Sequence, residues 1–228
     1  MKARARLVAD DGWRVLVSEP PLALRATREC VYLVGSSASP IGGDDIGLDV
    51  LVAAGSACTV KTSAASVALP GPNGDESRYV VRARVGDNAC LRWQPEPLVA
   101  AAGCRHVAHA YVDVASSAVV TWREELILGR AREEPGRCTT RLHVDRGGLP
   151  LLRHDIVVDA HSRSIGVLGD ARAIGTLLVI GRTLPHAPCN SEDLEAEVFA
   201  IADDASLVTL VSQDVARVRA VIDDLVAS

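Results

Sequence analysis

The sequence predicts a mainly β protein built from many short strands. Of its 228 residues 48% are hydrophobic but only 3% are aromatic, so valine, leucine, isoleucine and alanine must form the core. Valine favours pleated, half-buried surfaces. From Leu22 to about Val158, short apolar stretches alternate with polar residues and are interrupted by glycine, proline, asparagine and aspartate. This spacing indicates many short strands, and its regular rhythm also suits a solenoid.

Alternation assigns one side of each strand to the core. Apolar residues at every second position mark three strands: Leu48, Val50 and Val52; Val112 and Val114; Leu142 and Val144. Gly147 and Gly148 then predict a hairpin turn, because glycine enters mirror-image turn geometry without steric cost. The return strand has one apolar face, which consists of Leu152, Ile156 and Val158 together with His154.

The last fifth of the chain predicts two helices. Ser191, followed by two acidic residues, resembles a helix start and predicts a short helix in "SEDLEAEVFAIAD". A clearer helix follows Ser212, with an apolar stripe of Val215, Val218, Ile222 and Leu225. We expect this second helix to dock on the protein's own core, with a partner's groove as the alternative.

Charge and composition exclude several classes of function. The net charge is −5 and no basic run is present, so neither nucleic acid nor an anionic membrane surface is an expected partner. No apolar run approaches the ~18 residues of a membrane span, and a cytoplasmic location is expected. The six cysteines contain no CxxC pair and predict small buried thiols in a reducing compartment.

Catalytic and tight metal-binding motifs are weak in this sequence. It contains no GxSxG, HExxH or GxxxxGK[ST] motif. His106 and His109 are three apart on a predicted strand, so they should point to opposite faces. Cys104 and His106 share a face, but a stable metal site needs further ligands, so a core thiol and a surface imidazole are the expected interpretation. Asp159 and His161 are close enough in sequence to form a surface pair, and no further residue points to a role for them.

Carboxylates are the most suggestive polar residues. Asp44 and Asp45 follow two glycines, Glu96 lies between two prolines, and Glu124 and Glu125 precede "LILGR". Each has an ordinary interpretation as a turn cap or a solvated side chain. Together, without a nucleophile or a phosphate-binding loop, they favour a surface that handles a cation or a partner protein.

Four segments in order resemble the urease accessory proteins called UreD or UreH. They are "LVGSSASPIGGDDIGLDVLVAAGSACTVKTSAASVALPG", "LRWQPEPLVAAAGC", "VVTWREELILGRAREEPG" and "TTRLHVDRGGLPLLRHDIVV". The features that carry the resemblance are the glycine-glycine-aspartate before an L-x-V strand, the run of small hydroxyl residues, W-x-P-E, and a glutamate five residues before glycine-arginine. The match covers about residues 20 to 160 well and both ends loosely.

The resemblance implies a flattened β-helix or two-layer β body of many short strands with two short helices. It implies one UreD-like domain over residues 1–228, with a strand-rich body at about 20–190 and a helical region at about 191–228. It also implies a non-enzymatic maturation protein that binds apo-urease and a complex of UreF and the GTPase UreG. Nickel would pass through in transit, with no tightly bound cofactor.

Positions to test follow from the resemblance. Asp44 and Glu124 are expected as transient cation contacts, and Glu96 as a partner or turn contact. Partner or passage roles are expected for three further residues and one arginine: Asp49, Thr62, Ser63 and Arg130. Scattered carboxylates and hydroxyls suit an ion that must enter and leave better than a tight His/Cys site does. The alternatives are a β-rich hydrolase that uses His154 or His161, and a plain structural β-solenoid module.

Overall fold

The computed structural model describes residues 1–11, 13–164, 167–185 and 193–227, apart from the side chains of Trp13 and Arg163. Within these residues the chain forms seventeen strands, one α-helix and a short 3-10 helix at Ala160–Arg163. The elements in chain order are β1 (Lys2–Asp10), β2 (Trp13–Val17), β3 (Leu22–Ala26), β4 (Val31–Gly35), β5 (Asp45–Val52), β6 (Ala57–Thr62), β7 (Ser66–Ala68), β8 (Ser77–Val85), β9 (Cys90–Gln94), β10 (Leu98–Ala100), β11 (Arg105–Val114), β12 (Val119–Leu128), β13 (Arg137–Arg146), β14 (Leu149–Val158), β15 (Ala173–Ile180), β16 (Leu194–Ala202), β17 (Ala205–Ser212) and α1 (Val215–Ala227).

Two sheets face each other in this fold. Sheet 1 has the strand order β14-β13-β11-β8-β5-β1-β2, and sheet 2 has the order β16-β17-β15-β12-β9-β6-β4-β3. From β4 to β13 the chain passes back and forth between the sheets, and equivalent strands of successive coils pair in parallel. This is solenoid-like stacking, and the predicted mainly β, two-layer fold is confirmed.

Antiparallel strands flank the parallel strands at both ends. At the start of the solenoid, β2 folds back on β1, and β3 pairs with β4. At the other end, β14 folds back on β13, and β15 pairs with β12 before β17 and β16 extend sheet 2. The predicted hairpin between β13 and β14 is confirmed, with positive φ angles of 57° at Gly147 and 80° at Gly148.

The main core lies between the two sheets. The residues predicted to face inward are buried there, including Leu48, Val50 and Val112, each at most 2% exposed. Trp93 of β9 and Trp122 of β12 stack with ring centroids 4.7 Å apart and planes inclined by 11°. Among the described residues, these tryptophans are the aromatic members of the buried cluster, and Tyr79 packs against it.

A second core lies under the C-terminal helix. Val218 and Ile222 of α1 are fully buried against β15 and β17, as the predicted stripe requires. Gly175 of β15 permits this close approach, because a Cβ there would meet Val218 Cγ1 at 2.5 Å. The helix begins after Asp214, whose carboxylate accepts a hydrogen bond from the amide of Ala216 at 2.9 Å.

The earlier of the two predicted helices is wrong where the structure describes it. Ser191 and Glu192 lie outside the described residues, but Leu194–Ala202 is strand β16. Leu194, Ala196 and Val198 alternate along this strand and belong to the second core. The backbone of Leu194–Ala202 pairs with β17, which a helix could not do. Tertiary pairing therefore overrides the local helix signal.

No helix among the described residues is both long enough and apolar enough to cross a membrane.

Candidate functional site: an interior carboxylate beside stacked strand breaks

Strand β12 crosses a gap in the strands beside it. Its residues 119–122 pair with β9, and its residues 126–128 pair with β10. Between these two stretches lies the segment 95–97, in which Pro95 and Pro97 have no amide hydrogen to donate to a ladder. The gap leaves residues 123–125 of β12 without a paired strand on that side.

The preceding coil is interrupted at the same level. Residues 63–65, the small-residue run after β6, separate β6 from β7, and β7 pairs with β10. The amide of Ser66 donates to Pro97 O at 2.9 Å, so this break lies beside the proline break of the next coil. The two breaks are stacked, and side chains rather than a continuous ladder border the space between the sheets there.

Two cavities follow these breaks. The first, of about 100 Å³, lies between the sheets and is bordered by Trp93, Glu96 and Glu124 among other residues. The second, of about 400 Å³, is bordered by the 37–40 and 62–67 segments. Thr62, Ser66 and Tyr79 line both cavities, which therefore adjoin one another.

Glu124 lies on the interior side of β12. Its Oε1 accepts a hydrogen bond from Trp122 Nε1 at 2.8 Å, and within the described part of the chain it forms no salt bridge. Burial raises the pKa of Glu124 to about 7, although the Trp122 hydrogen bond acts to lower it. The interior cavity therefore holds a carboxyl group that is poised to gain or lose a proton near neutral pH.

Glu125, the next residue, lies on the opposite side of β12, under helix α1. Its carboxylate is almost completely buried and pairs with Arg123 at 3.4 Å and with Arg219 of α1 at 3.2 Å. Arg123 also donates to Asp223 of α1 at 2.8 Å. Glu125 is thus part of a charge network that attaches the C-terminal helix to sheet 2.

Glu96 links this network to the interior cavity. Its carboxylate lies 2.7 Å from Arg219 Nη1, and its amide donates to Thr62 Oγ1 at 2.8 Å. Thr62 Oγ1 in turn donates to Ala64 O at 3.0 Å. Among the residues predicted from the sequence, Glu124, Glu96, Thr62 and Ser63 are therefore brought together along the two adjoining cavities.

Asp44 is placed differently. Its carboxylate is buried in the turn before β5 and accepts hydrogen bonds from the Met1 amino group, Ser39 Oγ and Ile41 N, at 2.8, 2.8 and 2.9 Å. Burial alone would raise the pKa of Asp44, but these donors lower it below its usual range. The carboxylate holds the turn together and borders neither of the two cavities described above.

Asp49 and Arg130 also lie away from the cavities. Asp49 is exposed on the outer face of sheet 1, in register between Arg6 and Arg82. Arg130 is exposed in the loop after β12 and pairs with Glu133, with Arg130 Nε 2.9 Å from a Glu133 oxygen. Their predicted partner or passage roles remain predictions for surface positions.

The structure places His106 and His109 on opposite faces of β11, as predicted, and buries the Cys104 thiol, but it also buries the His106 imidazole that was expected at the surface. His106 is 2% exposed and its Nδ1 lies 2.9 Å from Ser77 Oγ, whereas His109 lies on the outer face of β11 against Tyr111. Burial lowers the pKa of His106 to about 4 and raises that of Cys104 to about 11. In the described ranges, no three His, Cys, Asp or Glu side chains are grouped so that they could hold a metal ion.

Comparison with known proteins decides the family. The chain matches the UreD urease accessory protein family over residues 14–228. It belongs to the UreD family. The relatives include the urease accessory proteins UreD of Streptomyces avermitilis, 36% identical over 94% of this chain and 89% of that protein, and of Streptomyces coelicolor, 36% identical over 100% and 96%. A UreD of Saccharopolyspora erythraea is 35% identical over 98% of this chain and 86% of that protein.

Sequence reasoning about this UreD chain missed the partners of the carboxylates. Arg219 lies 94 residues from Glu125 and 123 residues from Glu96, so no local spacing links them. The contact between Trp122 and Glu124 could be predicted from the sequence, because residues two apart on a strand share a face. That alternation was the one signal that separated Glu124 from Glu125.

Proposed function

We propose that this UreD chain is a non-enzymatic urease maturation scaffold. It binds apo-urease and the complex of UreF and UreG, and it assists the delivery of nickel into the urease active site. The cytoplasm is the location in which these partners would meet. Membership of the family of urease accessory proteins supports the general role, and the geometry around Glu124 supports the nickel step.

One observation carries the nickel step: Glu124 faces an interior cavity that adjoins a second cavity. The shared border of Thr62, Ser66 and Tyr79 offers hydroxyl oxygens between the Glu124 carboxyl and the 37–40 segment. A polar route through a protein interior needs such groups, because an ion that loses its water must find other oxygens. We therefore propose that the two cavities are parts of one passage for the hydrated or partly hydrated ion.

The chemistry at Glu124 suits a temporary contact. A divalent cation binds the charged form, so its arrival displaces the proton that burial favours, and its departure lets the proton return. A single carboxylate with hydroxyl and water neighbours binds nickel weakly, which an ion in transit requires. A cation contact at Asp44 requires that residue to release one of its three donors, so Glu124 is the position to test first.

The test is urease maturation in cells that express apo-urease, UreF and UreG with or without this chain. We expect urease to contain nickel and to be active only when the chain is present. Glu124→Gln, which keeps the acceptor for Trp122, should reduce nickel content and activity at least tenfold. Glu76→Gln on an exposed loop is the matched control and should load urease normally.

Two results would contradict the proposal at different levels. Equal nickel content with and without the chain would refute the maturation role. Suppose that the Glu124→Gln and Glu124→Ala chains still bind apo-urease and still give urease its full nickel content. That result would refute the proposed passage and leave the scaffold role intact.

A further inference from the structure

The outer face of sheet 1 carries a net positive charge in an acidic protein. Ten basic side chains alternate with core residues on its strands: Lys2, Arg4, Arg6, Arg78, Arg82, Arg84, Arg105, Arg137, Arg141 and Arg153. Six acidic side chains lie among them: Asp10, Asp45, Asp49, Asp113, Asp145 and Asp155. This face therefore carries +4 in a chain of net charge −5, which leaves −9 for the rest of the chain.

An aromatic cluster occupies the middle of this face. Tyr111 is 44% exposed and stacks on His109 with ring centroids 3.7 Å apart, while His143 meets His109 edge-on at 4.5 Å. The guanidinium of Arg82 lies 5.8 Å from the centre of the Tyr111 ring. Tyrosine and arginine are the residues that most often dominate the energy of protein interfaces.

Two exposed apolar side chains lie elsewhere on the same face. Leu51 of β5 and Val157 of β14 are 37% and 52% exposed on the same face. By contrast, the outer face of sheet 2 near β15 and β17 is covered by helix α1. Sheet 1 thus presents a mixture of apolar, aromatic and arginine side chains to solvent.

The size of the face matches that of a protein interface. Seven strands spaced about 4.8 Å apart, with lengths of about 30 Å, give an area on the order of 900 Å². Stable protein complexes bury about 800 Å² on each partner. A rigid face of this area can therefore provide one side of a complete interface.

We propose that the outer face of sheet 1, centred on Tyr111 and Arg82, docks an acidic surface of another folded protein. The net charge of +4 is complementary to such a surface and would speed association. The carboxylates within the face argue against a uniform polyanion, since Asp49 lies in register between Arg6 and Arg82. A protein surface can place a basic group opposite Asp49, whereas a phosphate backbone cannot.

The proposal rests on the maturation function above, which supplies the partners for its test. Three proteins are compared: the full wild-type chain, the double variant Arg82→Glu/Tyr111→Ala, and the control Arg92→Glu on the outer face of sheet 2. Each is titrated with purified apo-urease and with the purified UreF–UreG complex, at low and at high salt. We expect the double variant to bind at least one of them at least tenfold more weakly, mainly through slower association. Arg92→Glu should stay within twofold, and salt should weaken wild-type binding.

If the double variant fails to fold, the single variant Arg84→Glu, which keeps Tyr111, replaces it in the same titrations. Binding of the wild-type chain to neither protein overturns the maturation function and this proposal together. Wild-type binding that both face variants retain overturns the docking face alone. Equally tight, face-dependent binding to mixed-sequence DNA or to anionic vesicles, or a face-dependent dimer of this chain, would show that the occupant is not an acidic partner protein.

Discussion

Glu124 and Glu125 are adjacent in the sequence and have opposite environments in the structure. Glu124 faces a cavity between the sheets, has one indole donor and has its pKa raised to about 7. Glu125 faces helix α1 and is held between the guanidinium groups of Arg123 and Arg219. The comparison teaches that compensation of charge, rather than burial, separates a structural carboxylate from one that can exchange its cation or proton.

The attachment of helix α1 to sheet 2 depends on the ion pairs of Glu125, and removing them should have the largest effect on stability. We expect Glu125→Gln to lower the free energy of unfolding by about 3 kcal/mol, because the buried guanidinium of Arg123 and the partly buried one of Arg219 lose the carboxylate that they share. Their remaining partners, Asp223 and Glu96, are more exposed to water and compensate these charges less. Urea denaturation measures this loss. The control is Glu96→Gln, which removes a half-exposed pair with Arg219 and should cost about 1 kcal/mol or less. Equal losses for both variants would contradict the distinction.

The apolar contacts of helix α1 should come next. Ile222→Ala removes a fully buried side chain from the second core, and we expect a loss of about 3 kcal/mol in the free energy of unfolding. Asp224→Ala on the exposed side of the same helix should change little. An Ile222→Ala protein as stable as the wild type would mean that the helix is not docked on β15 in solution.

The buried carboxyl group of Glu124 should make the stability of the protein depend on pH. The native state holds the Glu124 proton up to about pH 7, whereas the unfolded chain loses it near 4.5, the ordinary pKa of a glutamate side chain. The native state therefore binds more protons between these pH values, and the contribution of Glu124 to stability falls as pH rises through them. Above pH 7 the carboxylate is charged in both states, and the full destabilisation from burying it is present.

Glu124→Gln should consequently stabilise the protein by up to about 3 kcal/mol at pH 8 and by little at pH 4.5. Urea denaturation of both proteins at the two pH values measures the difference. A variant with the same gain at both pH values would show that the carboxyl does not titrate near neutrality in the folded chain.

Part of the fold and of the site could be predicted because strands encode their faces locally. The alternation through Leu48, Val50 and Val52 identified a buried face, and the same rule placed His106 and His109 on opposite sides of β11. The glycine pair before β14 identified its hairpin. In each case the physical cause lies within a few residues of the position it explains.

Other features required partners that are distant in the sequence. The acidic start near Ser191 favoured a helix, but pairing with β17 made Leu194–Ala202 a strand. Asp44 was expected as a transient cation contact, with a turn cap as its ordinary interpretation. Donors from Ser39 and Ile41, five and three residues away, make it a turn cap, and the Met1 amino group, 43 residues away, is the donor that local spacing could not reveal.

The sequence by itself determined a strand-rich chain of the UreD family, with an apolar C-terminal helix stripe and a small-residue run after β6. These follow from periodicity, turn residues and motif order, which are local properties. Only the tertiary structure decided that the break at 63–65 stacks beside the break at 95–97, and that Glu124 faces a cavity while Glu125 meets Arg219. The reason is that cavities and ion pairs form between coils, and the stacking of coils sets those distances.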